Sequence, residues 1–161
     1  MAWKTYRLQL ENRELHSLDE IAQKLVLDAR ERDRDSLNQS FKMREAVAYG
    51  LERFWGEHLR LLAKSKRNND EFDCKAKYWL ATWNALVGIM HQTGVIIPND
   101  AVNIDDVNSV KTMAGKLWTL NLEDQRITLA VLTQLCDAIV WWTQRYKGSK
   151  TLVNDLDDGE N

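Results

Sequence analysis

One proline, Pro98, stands in a chain of 161 residues, and on both sides of it apolar residues recur every three or four positions. Proline removes a backbone donor and its ring clashes with the preceding turn, so a chain that nearly excludes it can run long uninterrupted helices. Glycine is scarce too, and Gly94, Gly148 and Gly159 follow helix-like segments or sit in the tail. The pattern predicts an all-α fold, a single-domain bundle of about five helices over residues 1–148 with a short N-terminal arm. Residues 149–161 set Lys150 against Asp155, Asp157, Asp158 and Glu160 and are expected to form a disordered acidic tail.

Residues 3–10 read as an extended arm, since Tyr6, Leu8 and Leu10 alternate, although Trp3, Tyr6 and Leu10 also suit a short helix. The first clear helix opens at Ser17-Leu-Asp-Glu20, where serine and glutamate can each satisfy an orphan backbone donor. Leu18, Ile21, Ala22, Leu25 and Ala29 share its apolar face, and the alternating charges of residues 30–35 read as its solvated end. A second helix is expected from Ser40 to about Lys64, its stripe including Met43, Val47, Gly50, Leu51, Phe54, His58, Leu61 and Leu62. Asn68-Asn69-Asp70 marks a break and N-cap before a third, with Phe72, Ala76, Trp79, Leu80, Trp83, Leu86, Val87 and Met90 at helical spacing. Gly94 should end that helix, with the apolar residue after it folding back and Pro98 preventing resumption.

A fourth helix, from about Asp105, presents Val107, Val110, Ala114, Leu117 and Trp118. Asn121 caps a last one reaching Tyr146 or Lys147, with Gly148 as its stop. Between Arg126 and Arg145 its only charge is Asp137, so it is expected to be the centre of the bundle, or else to turn half its surface to another chain.

Composition narrows the function classes. The 44% hydrophobic and 29% charged residues describe a soluble globular chain, and outside the acidic tail the charge is close to balanced. That is neither a strongly basic nucleic-acid binder nor an acidic DNA mimic. Cys74 and Cys136 have no C-x-x-C spacing, and the N-terminus lacks an apolar signal core. The reading is a cytoplasmic protein with reduced thiols and no membrane contact. The three histidines form no metal-ligand pair, Asp70, Glu71 and Asp73 lack the glycine and terminal glutamate of a calcium loop, and no phosphate loop or nucleophile motif occurs. His91 suits a helix C-terminus. No catalytic residue, metal or cofactor is expected.

Two groups of basic residues stand out. Arg60, Lys64, Lys66 and Arg67 occur without an intervening acid, and Lys75 and Lys77 follow. Arg145 and Lys147, with Lys150, lie beside Trp141, Trp142 and Tyr146, an aromatic set suited to a partner surface. Basic side chains near aromatic ones can track phosphates and stack bases, while the same residues at helix C-termini also complement the dipole.

Arg53-Phe-Trp-Gly-Glu-His58 has the R-x4-H spacing that resembles helical ribonucleases of the HEPN type. Five residues rotate about 140° on a straight helix, so the two side chains should point apart. Residues 79–90 (Trp79-Leu-Ala-Thr-Trp-Asn-Ala-Leu-Val-Gly-Ile-Met90) and 135–146 resemble parts of the small helical subunits of type III CRISPR effector complexes. The resemblance rests on Asn84-Ala-Leu86 in a central helix and on Trp141, Arg145 and Tyr146 ending an apolar last one. Thr143 and Gln144 depart from it, standing where such subunits tend to be basic. It implies a non-catalytic subunit that joins other proteins and stacks along a guide–target duplex, with RNA or such a duplex as the expected nucleic-acid partner. A protein-binding adaptor without nucleic-acid contact is the alternative, a ribonuclease using Arg53 and His58 a distant third, and the oligomeric state is left open.

Overall fold

The computed structural model describes residues 17–68 and 71–157, with side chains for residues 17–67 and 73–147. The extended arm, the Asn69 and Asp70 cap and the last four residues of the tail lie outside the described residues. Six α-helices follow in order, α1 (Leu18–Arg32), α2 (Gln39–Ala46), α3 (Leu51–Asn68), α4 (Glu71–Gln92), α5 (Val107–Trp118) and α6 (Leu122–Asp157). Among the described residues there is no strand.

The caps follow local chemistry. The Ser17 hydroxyl accepts from the Glu20 amide at 3.2 Å, Asp106 accepts from Asn108, and Asn121 accepts from Glu123 at 2.8 Å. At the end of α4, Gly94 has φ +89, the Val95 amide donates to the Met90 carbonyl and the Gly94 amide to that of His91. This is a Schellman closure, and Val95 folds back on the core as expected.

Four expectations are corrected. The second predicted helix is two, because Gly50 takes φ +94 and ψ 175, a backbone conformation open in practice only to glycine. The chain passes through a 3-10 turn at Val47–Tyr49 and restarts at Leu51, which makes six helices rather than about five. Gly148 does not stop α6, which runs on through most of the expected tail to Asp157; a glycine inside a helix costs about 1 kcal/mol but forbids nothing. Val107 and Trp118 lie 76% and 67% exposed, because α5 packs through Met113, Ala114 and Leu117.

The fourth correction concerns the centre. Leu132, Leu135 and Ile139 of α6 are buried as expected and Trp142 is half-buried, yet the most enclosed helix is α4. It packs against α1, α2, α3 and α6, and its Tyr78, Trp79, Trp83 and Leu86 are all but inaccessible. Phe54 of α3 sits between Trp79 and Trp83, its ring centroid 4.9 and 6.4 Å from theirs. The opposite side of α6, through Ile127, Ala130, Asp137 and Trp141, is exposed.

A polar seam crosses this core. The hydroxyls of Ser40 and Tyr78 are 2.6 Å apart, and Thr143 donates to Ser40 at 2.6 Å, all three residues buried. Trp79 Nε1 donates to Gln39 Oε1 at 2.9 Å. Burial pushes the Tyr78 phenol up to about 12, so it stays protonated at neutral pH. The seam ties α2, α4 and α6 in one register, and Thr143 is thereby committed to the interior.

Candidate nucleic-acid interface

The α3–α4 hairpin sets the last turns of α3, with Arg60, Lys64, Lys66 and Arg67, beside the first turns of α4, with Lys75 and Lys77. Helix α6 runs antiparallel to α4: Asn38, Ser40 and Arg44 meet Lys147, Thr143 and Asp137 in descending order, whereas Ser40 and Met43 meet Tyr78 and Thr82 in ascending order. One turn beyond this seam on α6, Lys147 meets Asn38 and Phe41, while Arg145 lies over Trp141 and Trp142 on the outer face. The first basic group is assembled by the α3–α4 hairpin, the second by α6 and the Asn38–Phe41 segment. Sequence reasoning missed a further cation beside the first group. The end of α1 arrives at the same place, where Cys74 Sγ reaches the Arg32 carbonyl at 3.9 Å, and the Arg32 charge acts on Lys77. The charge alternation of residues 30–35 looked like any solvated helix end, and only packing places Arg32.

Acids accompany these bases. Arg60 is held by Glu57 through contacts of 2.9 Å from Nε and a further one from Nη2, and the same hydrogen bonds raise its pKa. Lys66 pairs with Asp105 at 3.1 Å and Lys77 with Asp73 at 2.9 Å, and the Asp73 hydrogen bond raises the Lys77 pKa. All are solvent-screened surface pairs, so a phosphate can replace the carboxylate at little cost. Lys64 and Lys75 are half-buried and Arg67 is exposed.

The aromatic residues divide into two roles. Trp142 and Tyr146 stack at 5.8 Å between centroids, and the Tyr146 hydroxyl accepts from Gln23 of α1 at 2.9 Å, so both help to dock α6 on α1. The Trp142 Nε1 is buried without a partner. Trp141 is 53% exposed, and the Arg145 guanidinium lies 5.7 Å from the centroids of both Trp141 and Trp142. Lys147 lies over the Phe41 ring at 5.8 Å and bonds Asn38. Trp141 with Arg145 is therefore the accessible part of this set.

Arg53 and His58 do not meet. Arg53 is exposed and lies over the Tyr49 ring at 5.3 Å, while His58 is only 7% exposed and its Nδ1 sits 2.5 Å from the Trp55 carbonyl. Burial holds the imidazole below its usual range, with that hydrogen bond acting in the opposite direction. The ring is neutral at pH 7, with its Nδ1 proton on the Trp55 carbonyl and a lone pair on Nε2.

His58 instead lines a cleft that no sequence motif announced. Trp55 and His58 of α3, Leu80 and Asn84 of α4, and Asn99 and Asp100 of the following connection enclose about 320 Å³. That connection, residues 93–106, is held down by buried Ile97 and by a relay in which Trp83 Nε1 donates to Asn99 Oδ1 at 3.1 Å and Asn99 Nδ2 to Asn84 Oδ1 at 3.1 Å. Lys116 of α5 pairs with Asp100. Among the described residues no group of three or more His, Cys, Asp or Glu could hold a metal ion, and no helix is long and apolar enough to cross a membrane.

Comparison of the chain with protein-family models, with curated proteins and with solved structures finds no match.

Proposed function

We propose that this protein is a non-catalytic helical subunit of a larger assembly that joins other proteins and touches nucleic-acid backbone through one end of its bundle. The observation that carries this reading is the junction of α1, α3 and α4, where the helix ends bearing Arg32 and Lys64, Lys66 and Arg67 lie beside the start of α4 with Lys75 and Lys77. The reading agrees with the resemblance to small subunits of type III CRISPR effector complexes, which implies stacking along a guide–target duplex. Its departure at Thr143 matters little for phosphate contact, because Thr143 serves the core and Arg145 lies at the surface. The protein-binding side is the exposed face of α6, where Ile127, Ala130, Asp137 and Trp141 fall within one narrow arc. Exposed apolar residues aligned in this way mark association surfaces.

The pairing of Arg60, Lys66 and Lys77 with acids favours a second reading, an adaptor that meets protein alone. Salt separates the two. Phosphate contacts make log K fall linearly with log salt, by roughly 0.7 per contact on single strands and 0.9 on duplex DNA, whereas an apolar interface hardly responds. We expect the protein or its co-purified complex to bind a twelve-nucleotide RNA at low salt, with a steep slope and little sequence preference from backbone contacts. Reversal of Lys64, Lys66 and Arg67 to Glu should abolish that binding and leave the circular dichroism spectrum intact. Unchanged binding by the triple variant, or none by the parent at low salt, would favour the adaptor.

A further inference from the structure

We infer that residues 1–16 of this chain lie along the outer side of α6 as a strap, continuing the line of α1 across the first half of that helix; on the reading above, a partner protein must displace the strap to reach the same face. Helices α1 and α6 run parallel. Asp19 lines a pocket with Ala138, Trp141 and Trp142, and Gln23, one turn farther along α1, donates to Tyr146, one turn farther along α6. Helix α1 begins at Leu18, whereas α6 begins at Leu122, about 22 Å before Asp137 at 1.5 Å per residue. The residues that precede Ser17 therefore start beside the middle of α6, with its earlier turns still uncovered by α1.

The surface of α6 changes where α1 stops covering it. Ile127 and Ala138 are about three helical turns apart and within about 20° of one line along the helix. Beside α1, Ala138 is 7% exposed; beyond its start, Ile127 is 43% exposed, and Ala130 is exposed as well. Gln134 lies between them, half-buried, and its Oε1 has no hydrogen-bond partner among the described residues; the same holds for Trp142 Nε1. Buried polar atoms are nearly always paired, and an extended strap carries a backbone donor and acceptor at every residue. At the root of the strap lies a pocket of about 370 Å³, lined by Ala138, Trp141 and Trp142 together with the Asp19 and Asp137 carboxylates.

The composition of residues 1–16 suits this strip. Residues 1–10 carry Lys4 and Arg7 and no acid, with Trp3, Tyr6, Leu8 and Leu10 as apolar groups. The strip is acidic at both ends, with Asp19 and Asp137 at the root and Glu123 and Asp124 in the first turn of α6. Asp137 is taken by Arg44, which leaves the other three for the cations of the strap. Sixteen extended residues reach about 50 Å, more than the 22 Å to be covered. Leu15 and Leu10 then fall along the strip, and Lys4 and Arg7 arrive at Glu123 and Asp124. Tethering favours this occupant over a second copy, because a segment joined to α1 at Ser17 meets the strip at an effective concentration on the order of millimolar.

The test uses the full chain with a nitroxide spin label on Gln9→Cys, in a Cys74→Ser background that leaves only the buried Cys136. The NMR amide signals of residues 123–134 should lose most of their intensity, while those around Lys66 and Lys75 keep theirs. Ile127→Asp with Ala130→Asp, both at exposed positions, should restore the lost signals and leave the circular dichroism spectrum unchanged. The same pair should speed tryptic cleavage after Arg13 by about tenfold or more, since cleavage follows the population of the released strap. Lys4→Glu with Arg7→Glu, outside the packed helices, should speed it too. Signal loss centred on Ile21, Leu25 and Ala85 would put the strap in the α1–α4 groove and overturn the inference. Even signal loss across the chain, or aspartate variants that change nothing, would overturn it as well. So would signal loss in an isotope-enriched, unlabelled chain mixed with the spin-labelled one, since the segment would then sit on a second copy. Every reading is taken on the isolated chain, so failure of the strap leaves α6 open to a partner, and failure to find a partner for α6 leaves the strap in place.

Discussion

Removing the Ser40 hydroxyl should destabilise the protein far more than the loss of one small polar group suggests. Ser40 is inaccessible and sits 2.6 Å from both the Tyr78 hydroxyl and Thr143 Oγ1, themselves inaccessible. Ser40→Ala takes a partner from each, and a buried polar group left unsatisfied costs about 1–3 kcal/mol. Residual contact between the Tyr78 and Thr143 hydroxyls offsets part of this, so the loss should be about 2–4 kcal/mol. At about 2–4 °C per kcal/mol for a domain of this size, Tm should fall by on the order of 5–15 °C. Urea unfolding followed by circular dichroism should show a lower midpoint with an unchanged slope. The stronger test is the triple variant Ser40→Ala, Tyr78→Phe, Thr143→Val, which replaces every member of the cluster by an apolar group of similar shape. It should be more stable than Ser40→Ala alone, because nothing polar is left stranded. A single variant within about 0.5 kcal/mol of the parent, or a triple variant less stable than the single, would refute the reasoning.

Two other outcomes follow from the packing. Leu135, inaccessible on the inner face of α6, should lose about 2–5 kcal/mol on substitution by alanine, measured by the same unfolding curves, and a variant as stable as the parent would place the core elsewhere. His58 has a folded-state pKa below its unfolded value of about 6.5, so the unfolded chain takes up its proton first. Its stabilising contribution is complete above that value and falls as pH drops below it. The parent should be less stable at pH 5.5 than at pH 7.5, and His58→Gln should remove part of that difference; an identical pH dependence in the variant would show that His58 does not contribute.

The helices were legible because their signals are local. Ser17, Asn121 and Gly94 are punctuation that acts on the nearest backbone groups, and each acts where its position predicts. Gly50 shows the limit of that logic. Its spacing continued an apolar stripe, and nothing local distinguishes a glycine carried within a helix from one that breaks it at positive φ. Gly148 is the converse case, a glycine read as a stop that α6 passes. For α6, absence of charge suggested enclosure, yet α4 with its tyrosine and three tryptophan or leucine neighbours in the core is the enclosed helix, because enclosure depends on how many helices surround an element and not only on its composition.

The sequence by itself determined the helical class, most of the helix ends and which residues are chemically able to meet phosphate. Helix formation and capping are short-range events that proline scarcity and apolar spacing specify directly. Only the tertiary structure decided which of those residues act together. Arg32 joins Lys77, Lys147 joins Asn38 and Phe41, and His58 leaves Arg53 for Asn84 and Asn99. None of these neighbours is near in sequence, and their meeting depends on the hairpin of α3 and α4, the Ser40–Tyr78–Thr143 seam and the course of residues 93–106. Long-range packing sets those, and no short stretch of sequence records it.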